Sequence, residues 1–435
     1  MEKINIFWFR RDLRLHDNTA LHYALQENTP LLPIFIFDRT ILDKLEDPHD
    51  ARLNFIHKQI ESLKKELEQK GSSLLAIQAT PTQAFEQIKS QYTINAVFCN
   101  RDYEPYARHR DDEVDTLLKE SGINFYSFKD QVIFEKDEIL TDGGDFYKVF
   151  TPYKNKWLKS FEGLKLNILP NPSNHPNFVK LSPIPFPSLE SLGFKAAKIP
   201  IPEPVVNAEI IRNYDKTRDF PAIQGTSKLG IHLRFGTLSI RELALQAFKL
   251  NATYLNELIW REFYQMILWH RPDVATNAFK PAYQKIPWRN NEDEFKKWCD
   301  GQTGYPMVDA GMRELNETGY MHNRVRMVVA SFLTKHLLID WRWGEAYFAQ
   351  KLLDFELASN NGGWQWAAGT GTDAQPYFRV FNPESQTQKF DKELKYIKKW
   401  VPEYGTKNCP PPVVDHKFAR QRAIETYKAA LQFAE

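Results

Sequence analysis

Through the first 128 residues, short apolar runs alternate with longer amphipathic stretches, and this alternation constrains the chain more than any other feature. "INIFWF" (4–9), "LLPIFIFD" (31–38), "SLLAIQA" (73–79), "NAVFCN" (95–100) and "INFYSF" (123–128) read as buried strands. Residues 18–26, 51–71 and 107–122 read as helices; Asp17 or Asn18 caps the first and Gly71 ends the second. Strands alternating with helices predict a doubly wound parallel sheet, Rossmann-like in its winding. The first strand-to-helix turn, "RRDLRLHDN", contains no G-x-G-x-x-G, so the usual pyrophosphate loop is missing.

The pattern then changes. Nine of the 26 prolines lie between Pro170 and Pro204, a density that disfavours helix and sheet. Beyond them helical periodicity dominates, at 206–218, 239–250, 254–269, 293–299, 308–318, 322–338, 344–353 and 415–433. The expected division is an α/β domain at 1–130, a connector at 131–205 and an all-helical domain at 206–435. Charge divides with it. Residues 1–150 carry 19 Lys and Arg against 26 Asp and Glu, a net of −7, while 151–435 carry 38 against 29, a net of +9. An anionic partner should therefore meet the second part. Cys99, Cys299 and Cys409 are too few and too scattered for a disulfide framework or a metal site, and a cytoplasmic setting is expected. No stretch is long and apolar enough to span a membrane.

Four segments carry chemistry. In "YDKTRDFPAIQGTSKLG" (214–230), Thr226, Ser227 and Lys228 make either an anion-binding turn or an ordinary helix cap. In "TYLNELIWREFY" (253–264), Glu257, Trp260 and Arg261 share one helix face. They read either as a surface ion pair with a packed indole, or as a pocket wall with an acid, a cation and a stacking plane. In "GYMHNRVRM" (319–327), Asn323, Arg324 and Arg326 open an apolar helix and are costly there unless paired; Asp354 and Glu356 are the candidate partners, and His322 reads as a core or capping histidine. In "NNGGWQWAAGTGTDAQPY" (360–377), small residues surround two tryptophans, which suggests close approach of something flat or charged. No H-E-x-x-H, Walker A, cysteine cluster or nucleophile elbow is present. A bound cofactor fits this set better than hydrolysis or acyl transfer, and no metal is expected.

Together "WFRRDLRLHDN" (8–18), "RDFPAIQGTSKL" (218–229), "NELIWREFY" (256–264), "TGYPMVDAGMREL" (303–315), "GYMHNRVRM" and "NNGGWQWAAGTGTDAQPYFRVFNP" (360–383) resemble the DNA photolyase/cryptochrome family, most closely the bacterial class I photolyases for cyclobutane pyrimidine dimers. The resemblance implies FAD in the helical domain. Tyr214, Thr226, Ser227, Lys228, Leu229 and Gly230 would hold its ribityl-phosphate side, with Tyr254, Arg261, Phe355 and Glu356 also around the cofactor. Arg326 would pair with Asp354 near the ring, and Asn360 would face the flavin N5, where a neutral amide suits a fully reduced flavin. It implies as well a lyase that repairs flipped-out dimers in DNA by light-driven electron transfer. Trp260 and Trp366 would clamp the lesion, and Glu257 would hydrogen-bond a pyrimidine carbonyl. Tyr264, Asn323 and Met327 would line the pocket, while Arg218, Arg324 and Gln386 would touch phosphates. Trp364, Trp341 and Trp288 match the family's photoreduction chain.

Four departures bear on the cofactor: Glu356 for an Asp, Gly230 for a Ser, Tyr254 for a Trp and Leu394 for a Gly. Tyr106 and Ala107 replace the Asn and Glu of folate-binding relatives, which leaves a deazaflavin, FMN or no second chromophore. A monomer is expected. The competing reading is a blue-light receptor of the cryptochrome type with little or no repair; Asn323 after His322 disfavours repair of (6-4) photoproducts.

Overall fold

The structure, a computed structural model, describes residues 3–172 and 175–432. The chain forms two compact units, each assembled from separate segments.

The first unit comprises Met1–Glu135, Gly163–Val205 and Leu229–Leu245. Its sheet contains β1 (Lys3–Phe9), β2 (Leu31–Asp38), β3 (Leu75–Ala79), β4 (Thr93–Asn100) and β5 (Asn124–Phe128), in the order β3-β2-β1-β4-β5. Every pairing is parallel, with Trp8 opposite Ile34 on one side and Cys99 on the other. β2 is buried along its whole length, as its continuous apolar run requires. The expected helices are Thr19–Gln26, Ala51–Glu68 and Pro105–Glu120, with a further one at Pro81–Gln91. Asn18 caps the first, its side chain accepting from the Leu21 N–H at 3.2 Å.

The turn that lacks glycines is filled by the chain's own charges. The Arg14 guanidinium donates to Asp130 at 2.7 Å, and Arg241 donates to Asp130 and to Asp17, each at 2.8 Å. Burial pushes the Asp130 carboxyl up, but Arg14 and Arg241 outweigh it and hold the group below the usual carboxylate range. Gly236 passes so close to this turn that a Cβ there would stand 2.2 Å from the Arg11 carbonyl oxygen. These contacts account for the inclusion of 229–245 in the first unit.

The second unit comprises Lys136–Glu162, Val206–Lys228 and Gln246–Glu435, and among its described residues all elements of three or more residues are helical. Its longest helix, Ala252–His270, is capped by Asn251, whose side chain accepts from Thr253 and Tyr254 N–H groups. The stretch expected as one helix over 322–338 is instead Asn323–Ser331 followed by a single π turn, Phe332–His336. The helix Trp341–Lys351 leads to Leu357–Ala368, which the glycines at 362 and 363 had hidden from sequence reading. The helix Phe150–Glu162, inside the expected connector, packs on Ala252–His270 through Tyr153 and Phe263, ring centroids 5.2 Å apart. Another helix, His416–Gln432, matches the last expected one, whose final residue, 433, lies outside the described residues. Among the described residues no helix is long and apolar enough to cross a membrane, and no three His, Cys, Asp or Glu side chains converge as metal ligands.

Candidate active site

Within the second unit four helices surround a cavity of about 400 Å³, a size suited to an organic ligand. Ala252–His270 contributes Glu257, Trp260, Arg261 and Tyr264, and Asn323–Ser331 contributes Asn323, Arg326, Met327 and Ala330. Phe348, Leu352, Asp354, Phe355 and Glu356 line it from Trp341–Lys351 and the turn that follows. Ser359, Asn360, Gly363, Trp364 and Trp366 come from Leu357–Ala368, and Arg218 closes one side.

Charges in the cavity are paired across helices. Glu257 meets Arg218 at 2.5 Å, whereas Arg261 pairs with Glu356 at 2.8 Å. Glu356 also accepts from Gln265 at 2.9 Å, so its longer arm is used to reach back to the Ala252–His270 helix. The local Glu257–Arg261 pair that the spacing allows is not the one formed. Burial raises the Glu257 carboxyl above its ordinary range, and Arg218 opposes that shift. Arg326 donates to Asp354 at 3.0 Å and to the Met321 carbonyl at 2.7 Å. The second Asp354 oxygen is buried with no hydrogen-bond partner, an unmet acceptor at the cavity wall. Asn360 donates to the Glu345 carbonyl at 3.1 Å and to its carboxylate at 2.8 Å. Asn360 itself lines the cavity. Burial raises the Glu345 carboxyl, and the bond from Asn360 pulls it back.

The two glycines of Leu357–Ala368 have different surroundings. A Cβ on Gly362 would stand 2.2 Å from the Tyr264 ring, so this glycine lets two helices touch. A Cβ on Gly363 would meet nothing within 4 Å and would project into open space beside the cavity. Only the second leaves room for a ligand at the backbone.

Other expected site residues lie away from the cavity lining. The Thr226 hydroxyl bonds Tyr320 at 3.0 Å and Ser227 bonds Tyr254 at 2.9 Å, while Lys228 lies over the Tyr320 ring at 5.0 Å and has a left-handed φ of 53°. The Tyr214 ring meets Tyr254 edge-on at 5.0 Å. Leu229 and Gly230 belong to the first unit. Arg324 pairs with Asp219 at 2.7 Å and lies 4.3 Å over the Phe390 ring, and Gln386 keeps one buried, unpartnered oxygen. His322 caps its helix, accepting from the Arg324 N–H at 3.2 Å. Trp364, by contrast, does line the cavity and packs on Phe348 at 5.0 Å and Trp298 at 6.0 Å; Trp341 is buried beneath Arg342, and Trp288 meets Tyr427 edge-on at 5.8 Å.

Sequence reading missed Glu345, which holds Asn360, and Ala330, Phe348, Leu352, Ser359 and Gly363 in the wall. Phe348 and Leu352 look like ordinary core positions, and no motif marks them.

The profile described as "DNA photolyase" matches residues 5–176, and that described as "FAD binding domain of DNA photolyase" matches 254–408, where the cavity-forming helices lie. The deoxyribodipyrimidine photo-lyases of Synechococcus sp. and Escherichia coli are each 38% identical to this chain and match 98% of it, covering 97% and 98% of their own lengths. The crystal structure of a bacterial class III photolyase from Agrobacterium tumefaciens superposes with a TM-score of 0.88 at 31% identity, covering 99% of this chain and 98% of that one. With two matched profiles, near-complete relatives and a shared fold, the chain belongs to the DNA photolyase family.

Proposed function

We propose that this protein is a deoxyribodipyrimidine photo-lyase that binds FAD in the cavity of its second unit and repairs cyclobutane pyrimidine dimers in DNA. The observation that carries this reading is the wall itself: two tryptophans, Trp260 and Trp366, and the Glu257–Arg218 pair line the same cavity as Arg326, Asp354 and Asn360. A flavin is a flat polar ring that needs hydrogen-bond partners. The unpartnered Asp354 oxygen, the Asn360 amide in the wall and the open face of Gly363 suit it. When bound and reduced, FAD would supply the chemistry of this site, a light-excited electron donor for splitting the cyclobutane ring.

The chain's own residues bind and orient. Trp260 and Trp366 offer planes on which the bases of the lesion stack, a contact indifferent to sequence. Glu257 stands ready to hydrogen-bond a pyrimidine carbonyl edge, and its raised pKa lets it hold a proton there. Asn323 and Met327 complete that side. Arg218, Arg324 and Gln386 serve phosphates, in the part of the chain with net charge +9. Tyr214, Thr226, Ser227, Lys228 and Tyr254 serve the ribityl-phosphate side of the cofactor, and Arg261 is held for it by Glu356. Trp364, Trp341 and Trp288 would relay electrons to an oxidised cofactor from a thiol reductant in solution, which is itself oxidised. The protein acts as a cytoplasmic monomer, where its three thiols stay free.

Binding tests this reading directly. An oligothymidine carrying dimers should bind more tightly than its undamaged twin, and both affinities should fall with salt. Equal affinity for the two would favour the photoreceptor reading.

A further inference from the structure

One face of Trp260 is already covered. The Phe150 ring lies parallel to it, at 8° with centroids 3.7 Å apart, and Phe150 is only 7% exposed. Phe263 meets both rings edge-on, at 5.8 Å from Phe150 and 5.6 Å from Trp260. The indole cannot tilt without displacing one of these neighbours.

Phe150 is itself fixed. It begins the helix Phe150–Glu162, which is pinned to Ala252–His270 where Trp157 and Tyr153 donate to the buried Glu262 carboxylate at 2.5 and 3.4 Å. Its backbone N–H donates to Asp373 at 3.1 Å, and the Thr372 hydroxyl donates to the neighbouring Lys148 carbonyl at 2.7 Å. Both acceptor and donor come from the loop after the helix that carries Trp366. That loop folds back onto its own helix. The Gln365 carbonyl takes the N–H groups of Gly369, Thr370 and Gly371 at 3.0 to 3.1 Å, and Gln375 donates to the Ala367 carbonyl at 3.1 Å. Asp373 has a left-handed φ of 45°, which Asp tolerates better than most residues. Its carboxylate also sits at a helix N-terminus, where negative charge is favoured.

We infer that Phe150 and Asp373 are positioning residues for the aromatic pocket: Phe150 sets the plane of Trp260, and Asp373 ties that plane to the end of the helix bearing Trp366. This rests on the reading of the cavity as the lesion pocket. The gap between the two indoles is thus set before substrate arrives. Ordering it on binding would lower affinity, so a preset gap favours the damaged site.

The test uses full-length protein labelled with 5-fluorotryptophan, the Trp260 signal being assigned with Trp260→Phe. Fluorine spectra are recorded without DNA, and affinities are measured for oligothymidine with and without a dimer. Phe150→Leu keeps apolar volume but loses the flat face, and Asp373→Ala loses the tie. Each should move or broaden the Trp260 resonance and weaken dimer binding by about tenfold, the scale of one stacking contact, with undamaged oligothymidine little affected. Phe150→Tyr and Asp373→Asn keep the plane and the acceptor, and should behave as wild type. An unmoved Trp260 resonance in Phe150→Leu overturns the inference, as does a moved resonance with unchanged dimer affinity. If wild type itself shows no preference for dimers, the lesion-pocket reading fails, and the fluorine spectra still decide whether Phe150 holds Trp260.

Discussion

One oxygen of Asp354 takes the Arg326 guanidinium at 3.0 Å, while the other is buried and takes nothing. A buried acceptor left unpaired costs about 1–3 kcal/mol, so it is expected to have a partner when the site is filled. Asp354→Asn should fold but lose FAD, because Arg326 then lacks its counter-charge. The check is the flavin content of the purified variant; stoichiometric FAD would show that the pair is not needed for the cofactor.

Gly362 and Gly363 are adjacent and should respond oppositely to alanine. At 362 the new methyl strikes the Tyr264 ring, so thermal stability should fall by roughly 1–3 kcal/mol. At 363 the methyl meets no protein atom, and a helical Gly→Ala change should stabilise the cofactor-free protein by up to about 1 kcal/mol. The same methyl should weaken FAD binding. Melting of both apoproteins and a flavin titration separate the effects.

These two residues also show what the sequence concealed. Asn-Asn-Gly-Gly argues against a helix, yet Leu357–Ala368 is one, because close packing on Tyr264 outweighs propensity. The parallel sheet was legible, since continuous apolar runs such as 31–38 leave little alternative. The Arg326–Asp354 pair was legible from the resemblance, whereas the pairing of Glu257 with Arg218 was not, since local spacing favoured Arg261. The helix Phe150–Glu162 was obscured by the proline-rich stretch that follows it, and the Asp373 tie joins residues 223 positions apart.

Glu257→Gln should retain FAD and weaken dimer binding by up to roughly tenfold, the scale of one hydrogen bond, with a lower repair yield. Burial raises the wild-type carboxyl, so the native state holds its proton to higher pH than the unfolded chain does. This group therefore makes stability decline as pH rises between the unfolded and folded values. Repair by wild type should change across the same range, as the bridge to Arg218 forms with rising pH. The glutamine variant should be flat there; an identical pH profile would remove Glu257 from the account.

Lys335 is fully buried, donates to the Ala368 carbonyl at 2.7 Å and lies 3.7 Å over the Tyr427 ring. Burial drives its pKa well below the ordinary lysine value. The unfolded chain then binds the extra proton, so this residue makes stability rise with pH until the unfolded lysine titrates. Lys335→Met should flatten that rise in a melting series from neutral to alkaline pH. A slope equal to wild type would place the titration elsewhere.

The most direct measurement is light-dependent repair. Reduced, FAD-loaded protein is mixed with oligothymidine containing cyclobutane dimers and illuminated with near-UV or blue light, and thymine absorbance is followed beside a dark control. Recovery of absorbance only in the light is the predicted result. No recovery, with FAD bound and reduced, would contradict repair and point to a photoreceptor.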